Sequence, residues 1–206
     1  MSYQKLIPRL LENKRLIIGL GSGRCGTTSL AHLLNMQDDT DITHEDHVEG
    51  IFGLTRDSEV NLALFCLIDM LARDESIVGD IGYHWLKFVP TLMAFQGNKR
   101  FICLKRDKEE TINSFVNYPI QKTNPMSNST REEFENYYDQ YYLQTDYYGM
   151  RYPETFRTFQ IDSLNSETGQ RDILNFLGFT NHKYDVGVKL NVSEEDNVIS
   201  YAYGGR

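Results

Sequence analysis

The spacing of apolar residues along the chain predicts strands that alternate with helices. Arg15–Leu20 is a short apolar run that ends in glycines, which is typical of a buried strand. Four later β-rich runs predict further strands, over Thr40–Thr43, Ser76–Ile81, Arg100–Leu104 and Phe156–Ile161. The segments between them carry apolar residues at helical spacing and predict helices over Thr27–Leu34, Glu59–Arg73, Val89–Phe95, Lys108–Tyr118, Thr130–Tyr148 and Gly169–Leu177.

Residues at the predicted helix ends support this division. Asp107 is suited to cap one helix, Thr130 followed by Glu133 is an N-terminal signature, and Gly178 is a stop signal. Strands that alternate with helices form a parallel sheet covered on both faces, so the pattern predicts an α/β fold with about five strands. We expect residues 1–206 to form a single domain with its core at 15–178.

Composition narrows the classes of partner. The net charge of −8 argues against nucleic acid, so any anionic ligand must be held by a local positive site. Three cysteines without paired spacing predict neither a disulfide framework nor a zinc site. The polar stretch Met1–Lys14 has no signal-peptide core, and the most apolar run, Asn61–Ala72, is short and contains Asp69. We therefore expect a cytoplasmic protein without membrane insertion.

A glycine-rich loop follows the first predicted strand and leads into a helix. This arrangement directs backbone N–H groups toward one point at the positive end of the helix dipole, which favours a bound phosphate or sulfate. The first helical turn adds hydroxyl donors. The candidate anion-binding residues are Gly23, Arg24, Cys25, Gly26, Thr27, Thr28 and Ser29.

The loop differs from that of nucleoside-triphosphate enzymes. The spacing from Gly21 to Gly26 matches G-x-x-x-x-G, but Thr27 stands where those enzymes have lysine, and the basic residue is Arg24. The only run that resembles a Walker-B strand is Ile77-Val-Gly-Asp80. The missing lysine weakens an ATPase or GTPase interpretation.

A second candidate phosphate site follows the fourth predicted strand. Arg106 comes where this strand meets a helix, at the carboxyl edge of the sheet, where α/β proteins bind ligands. Ser114 comes two helical turns later, so its hydroxyl can lean toward the same edge. Together they offer a guanidinium and a hydroxyl to one phosphate.

The two sites together resemble the sulfotransferases that use 3′-phosphoadenylyl sulfate (PAPS). Arg24-Cys-Gly-Thr-Thr28 is similar to the family's K-x-G-T-T loop, with Arg for Lys as in related bacterial and carbohydrate sulfotransferases. Arg106-Asp107-Lys108, followed by Ser114, resembles the R-(D/N)-P-x(5)-S element, with Lys108 in place of proline. The resemblance implies that the loop holds the 5′-phosphosulfate, and that Arg106 and Ser114 hold the 3′-phosphate of PAPS and of its product PAP.

Sulfuryl transfer also needs a base that removes the acceptor's proton. Glu45, in Thr43-His-Glu-Asp-His47, is the first candidate, because several sulfotransferase families resemble this arrangement with a carboxylate after the second strand. His84 is the rival, since its position resembles that of the catalytic histidine in cytosolic members, and His44 and His47 stay open. Arg24 would stabilise charge without donating a proton. No metal is required.

These expectations define a sulfotransferase that acts on a hydroxyl- or amine-bearing acceptor, with carbohydrate favoured. The basic loop that completes the 3′-phosphate site in cytosolic members is not recognisable in this sequence, and Lys189 and Arg206 are the candidates to substitute for it. Asn117–Ser129 is expected to form a mobile loop that closes over the substrate. The tyrosine-rich segment Tyr137–Tyr152 is predicted to pack on the sheet with its hydroxyls at the rim, with stacking on an acceptor as the alternative.

Competing functions are a P-loop small-molecule kinase and a non-catalytic nucleotide-binding protein.

Overall fold

A computed structural model describes residues 3–46, 56–117 and 129–187 of the chain. Within these ranges five parallel strands form one sheet in the order β2-β3-β1-β4-β5. The strand bounds are β1 Arg15–Leu20, β2 Thr40–His44, β3 Ile77–Ile81, β4 Asn98–Lys105 and β5 Phe156–Gln160. The central strand β1 lies between β3 and β4, so the loops that follow these three strands meet at one edge of the sheet.

Seven helices of the described residues connect the strands and cover the sheet. Their bounds are α1 Tyr3–Leu11, α2 Thr27–Asn35, α3 Arg56–Ala72, α4 Val89–Met93, α5 Lys108–Asn117, α6 Arg131–Arg151 and α7 Glu167–Leu177. Short 3₁₀ turns over Tyr83–Phe88 and Ile161–Asn165 follow β3 and β5.

The two faces of the sheet are packed by different helices, because successive strand side chains point in opposite directions. From β1, Leu16, Ile18 and Leu20 enter the larger core, where the buried side chains of α1, α3, α4, α5 and α6 also lie. Ile17 points the other way, into a smaller core with α2 and α7. Because every residue of β1 after Arg15 is buried, the strand lacks the polar alternation of a half-exposed strand.

The predicted α/β fold with a five-stranded parallel sheet is confirmed, and the structure adds elements that the pattern had missed. Helix α1 contains Pro8 and charged residues, which obscured it, yet Ile7 and Leu11 are fully buried beside α3. The helix predicted over Val89–Phe95 is present as α4, Val89–Met93, and a 3₁₀ turn that was not predicted precedes it over Tyr83–Phe88. No helix of the described ranges has the length and apolar character to cross a membrane.

Helix caps confirm the predicted boundary signals. The Asp107 carboxylate accepts the Glu110 amide at 3.0 Å, so this residue caps α5. Thr130 and Glu133 form a complete capping box at the start of α6. Gly178 ends α7 with a left-handed backbone at φ 84°, which glycine adopts without a Cβ clash.

Candidate functional site

The loop between β1 and α2 is tightly wound. Gly23, Arg24 and Gly26 all have left-handed backbones, with φ of 88°, 56° and 88°. A Cβ on Gly21 would lie 2.3 Å from the Cys25 sulfur, so only glycine fits there. Cys25 itself is buried, and burial raises its pKa to about 11, which keeps the thiol neutral. The loop is therefore folded around an uncharged thiol.

The N-cap residue of α2 makes no side-chain capping hydrogen bond. Gly26 is the N-cap and provides no side-chain acceptor for the N–H groups of the first turn. The positive end of a helix dipole favours a bound anion, which is consistent with the predicted anion site at this turn. The strand–glycine loop–helix arrangement expected from the sequence is present, and the side chains of Cys25, Phe115 and Ile161 lie where Cβ atoms on its glycines would fall.

The two predicted phosphate-binding stretches converge. The Arg24 Nε donates to the Ser114 Oγ at 3.1 Å, across a sequence separation of 90 residues. The Arg106 Nη1 donates to the Arg24 carbonyl at 3.3 Å. Residues from the loop after β1 and from the start of α5 therefore form one cluster at the sheet edge.

Arg106 is oriented by its neighbours. Its Nε donates to the Glu110 carboxylate at 2.9 Å, and its carbonyl accepts the Tyr138 hydroxyl at 2.6 Å. The side chain remains 31 % exposed, so part of the guanidinium faces solvent. Lys108, which stands in place of the family's proline, lies in the first turn of α5 and pairs with Asp139 at 2.8 Å. The helix start is preserved without proline because Asp107 caps it.

His44 lies against the hydroxyls of the first turn of α2. Its Nε2 is 3.0 Å from the Thr27 Oγ1 and 3.4 Å from the Thr28 Oγ1. Burial lowers the pKa of His44, and the negative charge of Asp80 opposes that shift in part. His44 thus contacts the candidate anion site directly as a hydrogen-bonding partner, a contact that its sequence position alone did not reveal.

Glu45 follows the end of β2 with a left-handed backbone, φ 54°. Such a conformation is uncommon for a residue with a side chain and is concentrated at functional sites. Its amide donates to the Ile81 carbonyl at 2.9 Å, which ties it to the end of β3. Burial raises the pKa of the Glu45 carboxyl, and the charge of Asp80 raises it further. A more basic carboxylate is better suited to accept a proton.

Asp80 organises the region around Glu45. It is buried, and it accepts the Thr43 hydroxyl at 2.7 Å and the Trp85 indole N–H at 2.6 Å. The amide of Asp46 is a third donor, at 3.2 Å. The sequence singled out Asp80 only as a Walker-B-like residue. Its role as an electrostatic neighbour of both His44 and Glu45 required the structure.

The rival base, His84, is packed in the interior. Its side chain is only 3 % exposed, its Nε2 lies 3.8 Å from the Asp80 carboxylate, and its ring lies 5.1 Å from that of Trp85. Glu45 is only partly buried. A proton acceptor must reach the substrate, so the packing favours Glu45 over His84.

Most of the tyrosine-rich segment lies in α6, and its buried members Tyr138, Tyr141 and Tyr142 place their hydroxyls against the ends of β1 and β4, in agreement with the predicted packing. Tyr141 and Tyr142 contact the backbone at the start of the glycine loop, at Gly21 and Ser22. The composition of the segment drew attention to its aromatic rings, whereas the hydroxyls make the contacts to the site. These contacts were not predicted from the sequence.

Some predicted residues lie outside the described ranges. They are His47, Lys189, Arg206 and most of the Asn117–Ser129 loop. Within the described ranges, no group of three or more histidine, cysteine or acidic side chains is arranged to hold a metal ion.

The chain matches no family model and no curated protein. Its fold is similar to that of mouse sulfotransferase SULT7A1 in complex with PAP, at 15 % identity, a TM-score of 0.53, and coverage of 89 % of this chain and 67 % of the other. It is also similar to shikimate kinase from Bacteroides thetaiotaomicron, at 13 % identity, a TM-score of 0.50, and coverage of 81 % and 99 %. These likenesses confirm a fold shared by P-loop kinases and sulfotransferases.

Proposed function

We propose that the protein is a PAPS-dependent sulfotransferase. The observation that carries the proposal is the cluster of Arg24, Ser114 and Arg106, joined by contacts of 3.1 and 3.3 Å. The guanidinium groups of Arg24 and Arg106 and the hydroxyl of Ser114 lie next to the glycine loop. This set of groups suits a nucleotide that carries one phosphate on the 5′ and one on the 3′ position of its ribose. The complex of mouse SULT7A1 with PAP supports this choice of nucleotide.

The proposed reaction is an in-line transfer. The acceptor oxygen or nitrogen forms a bond to the sulfur of PAPS as the bond from that sulfur to the 5′-phosphate oxygen breaks. The negative charge that develops on the leaving phosphate is stabilised by Arg24 and the loop amides. Glu45 takes the acceptor's proton, and PAP leaves with its 5′-phosphate intact. No step needs a metal ion.

A P-loop small-molecule kinase is the main alternative, because shikimate kinase shares the fold. Two features count against it. Thr27 occupies the position of the phosphate-binding lysine, and its hydroxyl is 3.0 Å from His44. Asp80 accepts donors from Thr43, Trp85 and the Asp46 amide, so its oxygens are engaged by the protein. A kinase would need that carboxylate near magnesium.

Thermal shift measurements separate these functions, since a ligand that binds only the folded state raises its melting temperature. We expect PAP to stabilise the protein in the presence of EDTA, and Mg-ATP to have little effect. Transfer of labelled sulfate from PAPS to a panel of carbohydrates, phenols and amines then tests catalysis. Stabilisation by Mg-ATP with none by PAP would overturn the proposal in favour of a kinase.

A further inference from the structure

Helix α6 carries a row of buried tyrosines, Tyr138, Tyr141 and Tyr142, whose hydroxyls reach the candidate site. They are 6 %, 4 % and 2 % exposed. Their rings pack on each other, with centroids 4.5 Å apart for Tyr138 and Tyr142 and 5.5 Å apart for Tyr141 and Tyr142. The hydroxyl positions are therefore held by ring packing as well as by hydrogen bonds.

Tyr141 connects two loops of the site. Its hydroxyl accepts the Gly21 amide at 3.0 Å and donates to the Tyr83 carbonyl at 3.3 Å. Gly21 is the first residue after β1, and Tyr83 is the second residue after β3. One hydroxyl thus fixes the distance between the loop and the segment that carries His84.

Tyr142 makes the corresponding connection toward β4. Its hydroxyl donates to the Leu104 carbonyl at 2.8 Å, and it lies 3.2 Å from the Ser22 hydroxyl and 3.5 Å from the Ser22 amide. Leu104 precedes Arg106 by two residues. The start of the loop is thereby tied to the strand end that presents Arg106.

The direction of these hydrogen bonds follows from chemistry. A carbonyl can only accept, so each tyrosine proton goes to Tyr83 or Leu104, and the phenol oxygen is left to accept from the loop. Both phenols are protonated at neutral pH, as tyrosines normally are, and burial raises their pKa further, so ionisation of either hydroxyl is strongly disfavoured. Their oxygens supply uncharged acceptors, which hold the loop without repelling an anion.

We propose that Tyr141 and Tyr142 are positioning residues of the anion loop, which hold Gly21 and Ser22 so that the following amides are ordered before the nucleotide binds. This inference rests on the proposed function for the identity of the anion. The advantage is pre-organisation, since a loop that is already ordered loses less conformational entropy on binding.

The test replaces each tyrosine by phenylalanine, which removes the hydroxyl and keeps the ring. We expect Tyr141→Phe and Tyr142→Phe each to weaken PAP binding about 10-fold, as for loss of a buried hydrogen bond, measured by titration calorimetry on the folded protein. Without ligand, the Gly21 amide in Tyr141→Phe should exchange its hydrogen about 10-fold or more faster. Single variants are used because a double variant risks unfolding.

Tyr148→Phe is the matched control, because it removes a hydroxyl from the same helix where the ring packs against Phe156. If Tyr141→Phe and Tyr142→Phe bind PAP as tightly as the control does, and their loop amides exchange hydrogen no faster than those of the control, the inference is overturned. A lower melting temperature with unchanged PAP affinity and unchanged loop exchange would do the same, since it indicates a purely structural role. If the wild type does not bind PAP, the proposed function fails, and the Gly21 exchange rate alone decides the positioning role.

Discussion

The two halves of the candidate site use opposite chemistry. On the nucleotide side, after β1 and β4, Arg24 and Arg106 combine positive charge with loop amides and keep part of their surface in contact with solvent. On the proposed acceptor side, Glu45 follows β2, and the buried carboxylate of Asp80 lies in β3 beside it. We propose that the first side binds an anion, whereas burial and the charge of Asp80 on the second side raise the pKa of Glu45.

This difference explains how far each half could be read from the sequence. The nucleotide side depends on short local runs, a glycine loop and the start of a helix, in which residue type and spacing largely set the geometry. The acceptor side depends on which polar side chain is left accessible after packing. Whether a polar side chain stays accessible depends on how the whole fold buries it, so short sequence runs do not reveal it.

Arg24→Ala tests the nucleotide side with the largest expected effect. Loss of the guanidinium removes charge stabilisation of the leaving phosphate and leaves Ser114 without its 3.1 Å donor. We expect sulfate transfer to fall about 1,000-fold. Arg24→Lys keeps the charge and should lose only about 10-fold. Equal activity of the alanine variant and the wild type would exclude Arg24 from catalysis.

Glu45→Gln tests the acceptor side. Without a carboxylate to take the acceptor's proton, turnover should fall about 100-fold, while the affinity for PAP changes by less than about threefold. Turnover is measured by sulfate transfer and affinity by calorimetry. His84→Gln is the comparison, and we expect a smaller loss of turnover there because His84 is packed away from the surface. A larger loss in His84→Gln would move the base to that residue.

The same Glu45→Gln variant should be more stable than the wild type at neutral pH. The folded protein raises the pKa of Glu45 above its ordinary 4.5, so ionisation there opposes folding. Below pH 4.5 the Glu45 carboxyl is protonated in both the folded and the unfolded state, so the glutamine variant is no longer more stable than the wild type. The advantage of the glutamine variant should grow as the pH rises above 4.5, where the unfolded state ionises first, and should level off once the pH exceeds the folded pKa. Urea unfolding at several pH values measures it, and a wild type that is more stable at neutral pH would contradict the assignment.

Asp107→Ala has the smallest expected effect and tests the helix start on the proposed nucleotide side. It removes the cap from α5, the helix that presents Ser114, and should cost about 1 kcal/mol of unfolding free energy. PAP affinity should fall less than in a variant of Arg106 itself. Asp107→Asn keeps a capping side chain and serves as the control, with denaturant midpoints as the measurement. Unchanged stability in the alanine variant would contradict the capping role.

Particular residues show what the sequence could and could not reveal. The positions of the five strands and the approach of Arg106 to the glycine loop follow from apolar runs and parallel topology, and the caps at Asp107 and Gly178 follow from residue type. The contact of His44 with Thr27, the central position of Asp80 and the hydroxyls of Tyr141 and Tyr142 on the loop do not. Those contacts join segments far apart in the chain, through side chains whose directions depend on packing.

The central claim is that two separate stretches hold the two phosphates of one nucleotide, and a comparison of PAP with AMP tests it most directly. AMP lacks the 3′-phosphate, so the wild type should bind PAP far more tightly. Arg106→Ala should weaken PAP about 30-fold and leave AMP nearly unchanged, whereas Arg171→Ala, on the exposed surface of α7, should alter neither. Equal affinity of the wild type for PAP and AMP, or an unchanged preference in Arg106→Ala, would contradict the account.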